Sequence, residues 1–527
     1  MRTATAGTRP VVRLVLRRDR FRLPVWVVLL VVVPAVTPPS LAELFPNEAA
    51  RAGYAGGVRA NPALLAIQGP VFDTSLGALT AGRSLTLTAV LVALLSVLTV
   101  VRHTRAEEEE GRRELLGATR VGRHAGLAAV LVVMLGADVV IGAGVGAALA
   151  AAGLPLGGSI AFGASLTVAG LVFAGVSAVA AQLTTSARSA TGIAIGVLGI
   201  AVVLRAAGDA GGATLLSWTS PLGWTAQVRP FAGDRWWVLM VSVAMAAALV
   251  AVATVLAAGR DLAAGVLPPR LGPATGTVRS PLGLAWRLQR GAALGWVAAF
   301  IVVGAALGGI AQGIGDLLDA SPETVALLRR LGGGDSIVDV FLAAEFAVLG
   351  LLAAASAIAA VLRLRTEESA GRAEIVLAGA VGRTRWAGSH LAVAVLAPAV
   401  ALLGAGVAAG AVRAVATGDA GEVGRLAGGA LAQLPAVWVL AGIAMALFGV
   451  LPHWTVGAWA VLVAFLMFGQ LGQLLRLPQW LLDLSPFTHL PRSLGTVDMV
   501  PLLWLAAVAA GLVIIGLVGL CRRDLTP

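Results

Sequence analysis

The chain contains no lysine. All 38 of its basic residues are arginine. A phosphate-binding loop of the P-loop kind needs a lysine on the nucleotide phosphates. This chain therefore cannot hydrolyse ATP by that mechanism on its own, and lysine-based Schiff-base chemistry is excluded too. There is one cysteine, Cys521, which rules out an internal disulfide framework and a cysteine-rich metal site. The five histidines are scattered and form no ligand cluster. Charge is scarce as well. Only 12% of residues are charged, where a soluble domain carries about a quarter. The charges are also clumped, which leaves long stretches without any.

What fills those stretches is apolar. Such residues make up 58% of the chain, and mean hydropathy is +0.91. A bilayer core takes about 20 apolar residues per helix, and each span must satisfy its own backbone as helix. The expected class is an all-α polytopic membrane protein of twelve transmembrane helices. The first six fall near 23–44, 85–101, 125–151, 159–182, 190–204 and 236–258, with Arg205 closing the short fifth span. The second six fall near 294–312, 341–362, 387–411, 429–451, 455–475 and 499–520, and only Pro452, His453 and Trp454 separate the tenth from the eleventh. With the N-terminus placed inside, 26 of the 38 arginines lie in inside segments. The positive-inside rule selects that orientation, with both termini cytoplasmic and the chain in the inner or plasma membrane. The net charge of +11 is then an orientation signal, and nucleic acid is not needed as a partner.

The chain also repeats itself. Residues 105–123, RAEEEEGRRELLGATRVGR, match 365–383, RTEESAGRAEIVLAGAVGR, at ten of nineteen positions. Arg17, Arg20 and Trp26 match Arg287, Arg290 and Trp296, and Ser220-Pro221 matches Ser485-Pro486 in the same order. Both halves begin on the same side, so the repeats are parallel. The expected layout is a first six-span half over 1–258, a proline- and glycine-rich cytoplasmic linker over 259–280, and a second six-span half over 281–527. Each half opens with a short basic amphipathic segment, 11–21 and 281–290, of the kind that lies in the membrane interface. Each has a charged cytoplasmic helix, near 104–120 and 364–380.

The charged helix is the strongest candidate for function. At helical spacing Glu107, Gly111 and Glu114 share one face, as do Glu367, Gly371 and Glu374. Arg105 with Glu109, Glu108 with Arg112 and Glu368 with Arg372 stand at i, i+4, the spacing of solvent-facing ion pairs. A glycine between two carboxylates lets another surface approach the backbone, so the pair reads as a duplicated docking surface. Within the spans, Asp138, Glu345 and His390 are the ionisable residues, and such groups are functional candidates by default. Asp138, Ser220, Pro221, Ser485 and Pro486 are the candidates for a substrate path. The spans are otherwise Ala, Gly, Val and Leu, which suits a hydrophobic or amphipathic substrate. No residue constellation offers covalent catalysis or a metal site.

This order of features resembles the membrane subunit of an ATP-binding-cassette exporter of the type-2 class. It looks most like the fused twelve-span polyketide-antibiotic, or tetronasin-type, exporter permeases. The residues that carry the likeness are Arg105, Glu107, Glu108, Gly111, Arg112, Glu114, Gly122 and Arg123, with copies at Arg365, Glu367, Glu368, Gly371, Arg372, Glu374, Gly382 and Arg383. SPLGW at 220–224 and SPF at 485–487 resemble that family too. The resemblance implies that the basic opening segments are elbow helices and that the charged helices are coupling helices. It implies a separate ATP-binding-cassette nucleotide-binding subunit, two copies per permease, docked on them. ATP and Mg would sit on that partner, with no cofactor on this chain. The implied activity is export of hydrophobic, antibiotic-like compounds, and the chain itself is not an enzyme. Glu109 and Glu110 become Ser369 and Ala370 in the second copy, so the two surfaces differ. The alternative reading is a proton-driven twelve-span secondary drug exporter.

Overall fold

The computed structural model describes residues 5–112, 121–212, 214–261, 264–267, 276, 278–319, 337–471, 478–491, 494 and 498–524. All regular structure among them is helical. The chain divides into two units, Met1–Gly272 and Pro273–Pro527.

In the first unit, α1 (Thr8–Arg18) buries Val11 and Val15, one turn apart, and leaves Arg9, Arg13 and Arg17 exposed. The chain bends at Asp19 into α2 (Arg22–Ala35) and α3 (Thr37–Leu44), where Pro34, Pro38 and Pro39 interrupt the helical hydrogen bonds. Two short helices, α4 (Glu48–Ala60) and α5 (Pro62–Gln68), start on the side chains of Asn47 and Asn61, which accept from the free N–H groups of the first turn. They cover a small apolar cluster of Leu41, Ala55, Val58, Val71 and Leu79. The middle of the unit is α6 (Leu76–Val101) packed on α8 (Leu156–Leu183), flanked by α7 (Ala125–Ala151), α9 (Ala187–Ala210) and α12 (Trp236–Gly259). The short α10 (Thr214–Thr219) and α11 (Pro221–Gln227) lie between the last two. Gly142 of α7 faces Gly163 of α8 so closely that a Cβ on either would meet the other's carbonyl oxygen within 2.5 Å. Small residues bring the backbones together in this way where lipid supplies no hydrophobic drive.

In the second unit, α13 (Pro281–Asp319) and α14 (Ile337–Ser369) are joined by a segment that lies largely outside the described residues. The short α15 (Arg372–Leu377) leads to α16 (Arg383–Thr417). Then come α17 (Gly421–Leu431), α18 (Leu434–Val450), α19 (Gly457–Leu471), α20 (Gln479–Leu482) and α21 (Met499–Arg522). Gly304 and Gly308 of α13 meet Ala405 and Ala409 of α16, a pair of small-xxx-small stripes, and Gly449 of α18 meets Gly516 of α21. The core is continuous through Phe346, Leu402, Met445 and Phe448.

Eleven helices among the described residues are long and apolar enough to cross a membrane. The expected eleventh span, 455–475, overlaps α19, in which Gly457–Leu466 is an apolar helix, and residues 472–475 lie outside the described residues. The expected short fifth span is instead a 24-residue helix, because Arg205 does not end it. Arg205 lies buried inside α9 and pairs with Asp209 one turn on, at 3.0 Å. The two opening segments also differ. The first is a separate helix, α1. Residues 281–290 are the beginning of the unbroken 39-residue α13. Large apolar side chains such as Val25, Val28, Leu503 and Trp504 stand exposed on the outer faces. That is how a lipid-facing surface differs from a water-facing one.

Candidate functional site

The expected single helix over 104–120 does not form as such. Helix α6 continues past Val101 through a π-turn, Arg102–Ala106, and one further turn, Glu107–Glu109, and then stops. It stops at Gly111, whose φ of +70° is left-handed. The second unit repeats the break at Gly371, φ +68°. Left-handed backbone costs an L side chain steric energy that glycine avoids. These glycines therefore end helices, and the helix that carries Glu107 does not continue through Gly111. Glu367, Gly371 and Glu374 do not share a helical face, because the break at Gly371 separates the two glutamates. Glu114 lies outside the described residues, while Glu374 sits in the first turn of α15, beyond the break.

The carboxylates before the break point inward. Glu107 receives Arg18 from α1 and Arg112 from past the break, the latter at 3.0 Å. Glu108 receives Arg105 at 2.9 Å and Arg260 at 3.0 Å. Arg260 follows the last turn of α12, so Glu108 joins the end of the unit's second long helix to the end of its last. Arg260 also donates to Gln182 of α8 at 2.8 Å and to the Ala264 carbonyl at 2.8 Å. Arg105 is only 1% exposed. Its other donors reach the carbonyls of Ala181, 2.9 Å, and Ala264, 3.0 Å. Arg123 donates to the Arg260 carbonyl at 2.7 Å. Glu109 accepts the Ala187 N–H at 2.8 Å, which sets a carboxylate on the positive N-terminus of α9.

The second unit builds the same lattice. Glu367 receives Arg372 at 2.7 Å and Arg363 at 2.7 Å. The hydrogen bond to Glu367 raises the Arg372 pKa above its usual value. Glu368 meets Arg523 as a two-pronged fork, 2.6 and 2.9 Å, with Arg365 at 3.5 Å. Arg523 follows α21 as Arg260 follows α12, and its guanidinium lies over the Phe448 ring at 5.0 Å. Arg383 donates to the Arg523 carbonyl at 2.7 Å, as Arg123 does to that of Arg260. The expected i, i+4 pairs are thus replaced. The glycine break swings Arg112 and Arg372 back to Glu107 and Glu367, and Arg105 and Arg365 take Glu108 and Glu368 at i+3.

Arg18, Arg260, Arg363 and Arg523 were not among the residues singled out by sequence. Arg260 and Arg523 stand at one comparable place, the first charge after each unit's last long helix, and that is the signal that could have found them. Gly122 and Gly382 precede the third long helix of each unit, and the Gly122 N–H donates to the Ala6 carbonyl. What stays outside the lattice in the second unit is α15 beyond Arg372, where Glu374 is exposed and Ile375 is 78% exposed.

The remaining candidates lie elsewhere. Asp138 is fully buried between α7 and α8, where Gly170 leaves the room for its carboxylate. Neither of its carboxylate oxygens has a hydrogen-bond partner among the described residues. Ser220 caps α11 with Pro221 in the first turn, and its hydroxyl donates to the Ala201 carbonyl at 2.7 Å. Ser485 caps the short turn Pro486–His489 in the same way. Both Ser-Pro elements thus start a turn of helix. His390 is paired through Nδ1 with Gln289 at 3.0 Å. No group of three His, Cys, Asp or Glu among the described residues converges on a metal-sized site.

Two comparisons bear on what this architecture is. Residues 278–520 match the family described as multidrug efflux system permease Rv1217c, C-terminal domain. The whole chain is 46% identical over 526 residues to the multidrug efflux system permease protein Rv1217c of Mycobacterium tuberculosis, covering 98% of this chain and 95% of that protein. The chain belongs to the Rv1217c family of multidrug efflux permeases. As a Rv1217c-family permease it is a multi-pass transport protein, and the lattice is the part of this permease that recurs in both units.

Proposed function

We propose that this permease is the membrane subunit of an ATP-binding-cassette exporter, moving hydrophobic or amphipathic drug-like compounds out of the cell. ATP and Mg belong to a separate nucleotide-binding subunit, two copies per permease, one beneath each unit. The arginine distribution supports a plasma-membrane location with both termini cytoplasmic. The lack of any lysine for a P-loop supports an external source of work.

The observation that carries the reading is the repeated Glu–Arg lattice. A coupling element has to pass a push from a partner into long helices without yielding. In each unit the lattice ties the segment before the break to the residue that follows the last long helix. The docking role expected of Glu107, Glu108, Glu367 and Glu368 is then one of bracing. Contact with the ATPase falls to the neighbouring exposed groups, Glu110 and Arg112 in the first unit and Glu374 and Ile375 in the second. An apolar side chain ringed by charge is the composition of a docking anchor.

The double variant Glu374→Arg, Ile375→Asp should insert and melt like the wild type. It should lose at least about tenfold in co-purification of the ATPase and in drug-stimulated ATP hydrolysis. Unchanged co-purification would remove α15 from the docking surface. One observation favours the alternative, proton-driven reading: Asp138 is an isolated buried carboxylate. Asp138→Asn separates the two, since only a proton carrier at that site would lose transport while retaining the fold.

A further inference from the structure

The first turns of α13 line an open groove of about 560 Å³. Its walls are Val278, Arg279, Ser280, Gly283, Trp286, Arg287 and Arg290. Gly283, Trp286, Arg287 and Arg290 fall at i, i+3, i+4 and i+7, a single stripe along the helix. Ser280 caps the helix by accepting the Gly283 N–H at 3.1 Å. A Cβ on Gly283 would stand 3.2 Å from the Ser280 hydroxyl, so the glycine keeps the floor open.

The first unit uses its opening helix differently. There Arg18 turns inward to Glu107 and Asp19 to His103, the latter at 2.6 Å. At the offset of 270 residues these positions become Leu288 and Gln289. Gln289 turns inward to His390, and Glu367 is neutralised by Arg363 from its own helix. Arg287 and Arg290 of α13 are exposed, as their counterparts Arg17 and Arg20 are. Arg279, Arg287 and Arg290 are exposed and meet no carboxylate among the described residues. Three guanidiniums around one groove call for a multidentate anion, and arginine binds phosphate oxygens in pairs. The same rim carries exposed Leu282 and Trp286, and an indole beside arginine is suited to the level where headgroup meets acyl chain.

We propose that this groove is a binding site for one anionic phospholipid, with the phosphate held by Arg279, Arg287 and Arg290 and the upper acyl chain against Trp286. The lipid pins the start of α13 where the first unit relies on its own Glu107 and Asp19.

Native mass spectrometry of the full chain in detergent, titrated with phosphatidylglycerol or phosphatidylcholine, tests this. The wild type should retain one phosphatidylglycerol per chain about tenfold more firmly than phosphatidylcholine. The variant R279Q/R287Q/R290Q should lose that lipid, and the corresponding triple lysine variant should keep much of it. R13Q/R17Q in α1 should leave it in place, and W286A should weaken it. Retention of the lipid by the triple glutamine variant overturns the proposal, as does equal loss in R13Q/R17Q. Displacement by glycerol 3-phosphate at matched concentration would mark a free-anion site and overturn it too. Should the triple variant fail to fold, R287Q alone with the lysine variant decides the matter by the same readout.

Discussion

At the scale of the residue, the lattice works because each buried charge has a committed partner. Glu368 and Arg523 meet as a planar fork, with the Phe448 ring covering the guanidinium. Removing one member leaves the other buried and unpaired, which costs about 3–5 kcal/mol. Glu368→Gln should therefore lower the melting temperature of the purified chain by several degrees. Adding Arg523→Gln to it should cost little more, because the double variant has no orphaned charge at that fork. Additive losses would mean that the two residues act separately. A second prediction concerns space. A Cβ at Gly170 would stand 2.4 Å from the Asp138 carboxyl carbon. Gly170→Ala should destabilise by about 1–3 kcal/mol, and Asp138→Ala in that background should restore most of the loss. The sequence marks Asp138 plainly, as a carboxylate in an apolar run. It does not mark Gly170, because the chain has 66 glycines and nothing local says which of them faces a side chain.

At the scale of the element, what decides the site is where a helix ends. The charged block is easy to find, since it interrupts an apolar sequence and occurs twice. Its geometry is harder to read, because Gly111 and Gly371 fit a helical spacing and a left-handed stop equally well. The reach of the lattice is also hidden. Glu108 and Arg260 lie 152 residues apart, and Glu368 and Arg523 lie 155 apart. A pattern confined to one helix cannot contain such pairs. Among the described residues, no heavy atom other than those of the glycine and its chain neighbours lies within 4 Å of a Cβ placed on Gly111 or Gly371, so the cost of substitution there is conformational. Gly371→Ala should destabilise by about 1–2 kcal/mol, with Gly371→Asn milder because asparagine tolerates this backbone better. Hydrogen exchange over 365–377 should quicken in both variants while α18 stays protected. Unchanged exchange would show that the left-handed turn is not what holds α15 in place.

At the scale of the whole molecule, the chain is a set of apolar helices whose charged residues are concentrated at their ends. Its composition made the membrane class legible, and its repeated block marked the place where the same break recurs at Gly111 and Gly371. The boundaries of the helices were less legible. Helix α9 runs through Arg205 where the sequence suggests a stop, and α13 fuses an expected separate segment to an expected span. Both depend on where helices stop, which packing decides as much as hydropathy does. The proposed orientation yields its own prediction. Cysteines at the α15 turn and after Arg523 should both be sheltered from a membrane-impermeant thiol reagent in intact cells and labelled after lysis, once Cys521 is replaced by serine.

The central claim is that work enters this permease from an ATPase at the braced turns. It is tested most directly by transport in sealed vesicles containing the chain together with the ATPase that co-purifies with it. A hydrophobic fluorescent drug should be moved on addition of ATP, in the presence of a protonophore, and not when the ATPase is left out. Transport that needs no ATPase and collapses with the protonophore would contradict the claim.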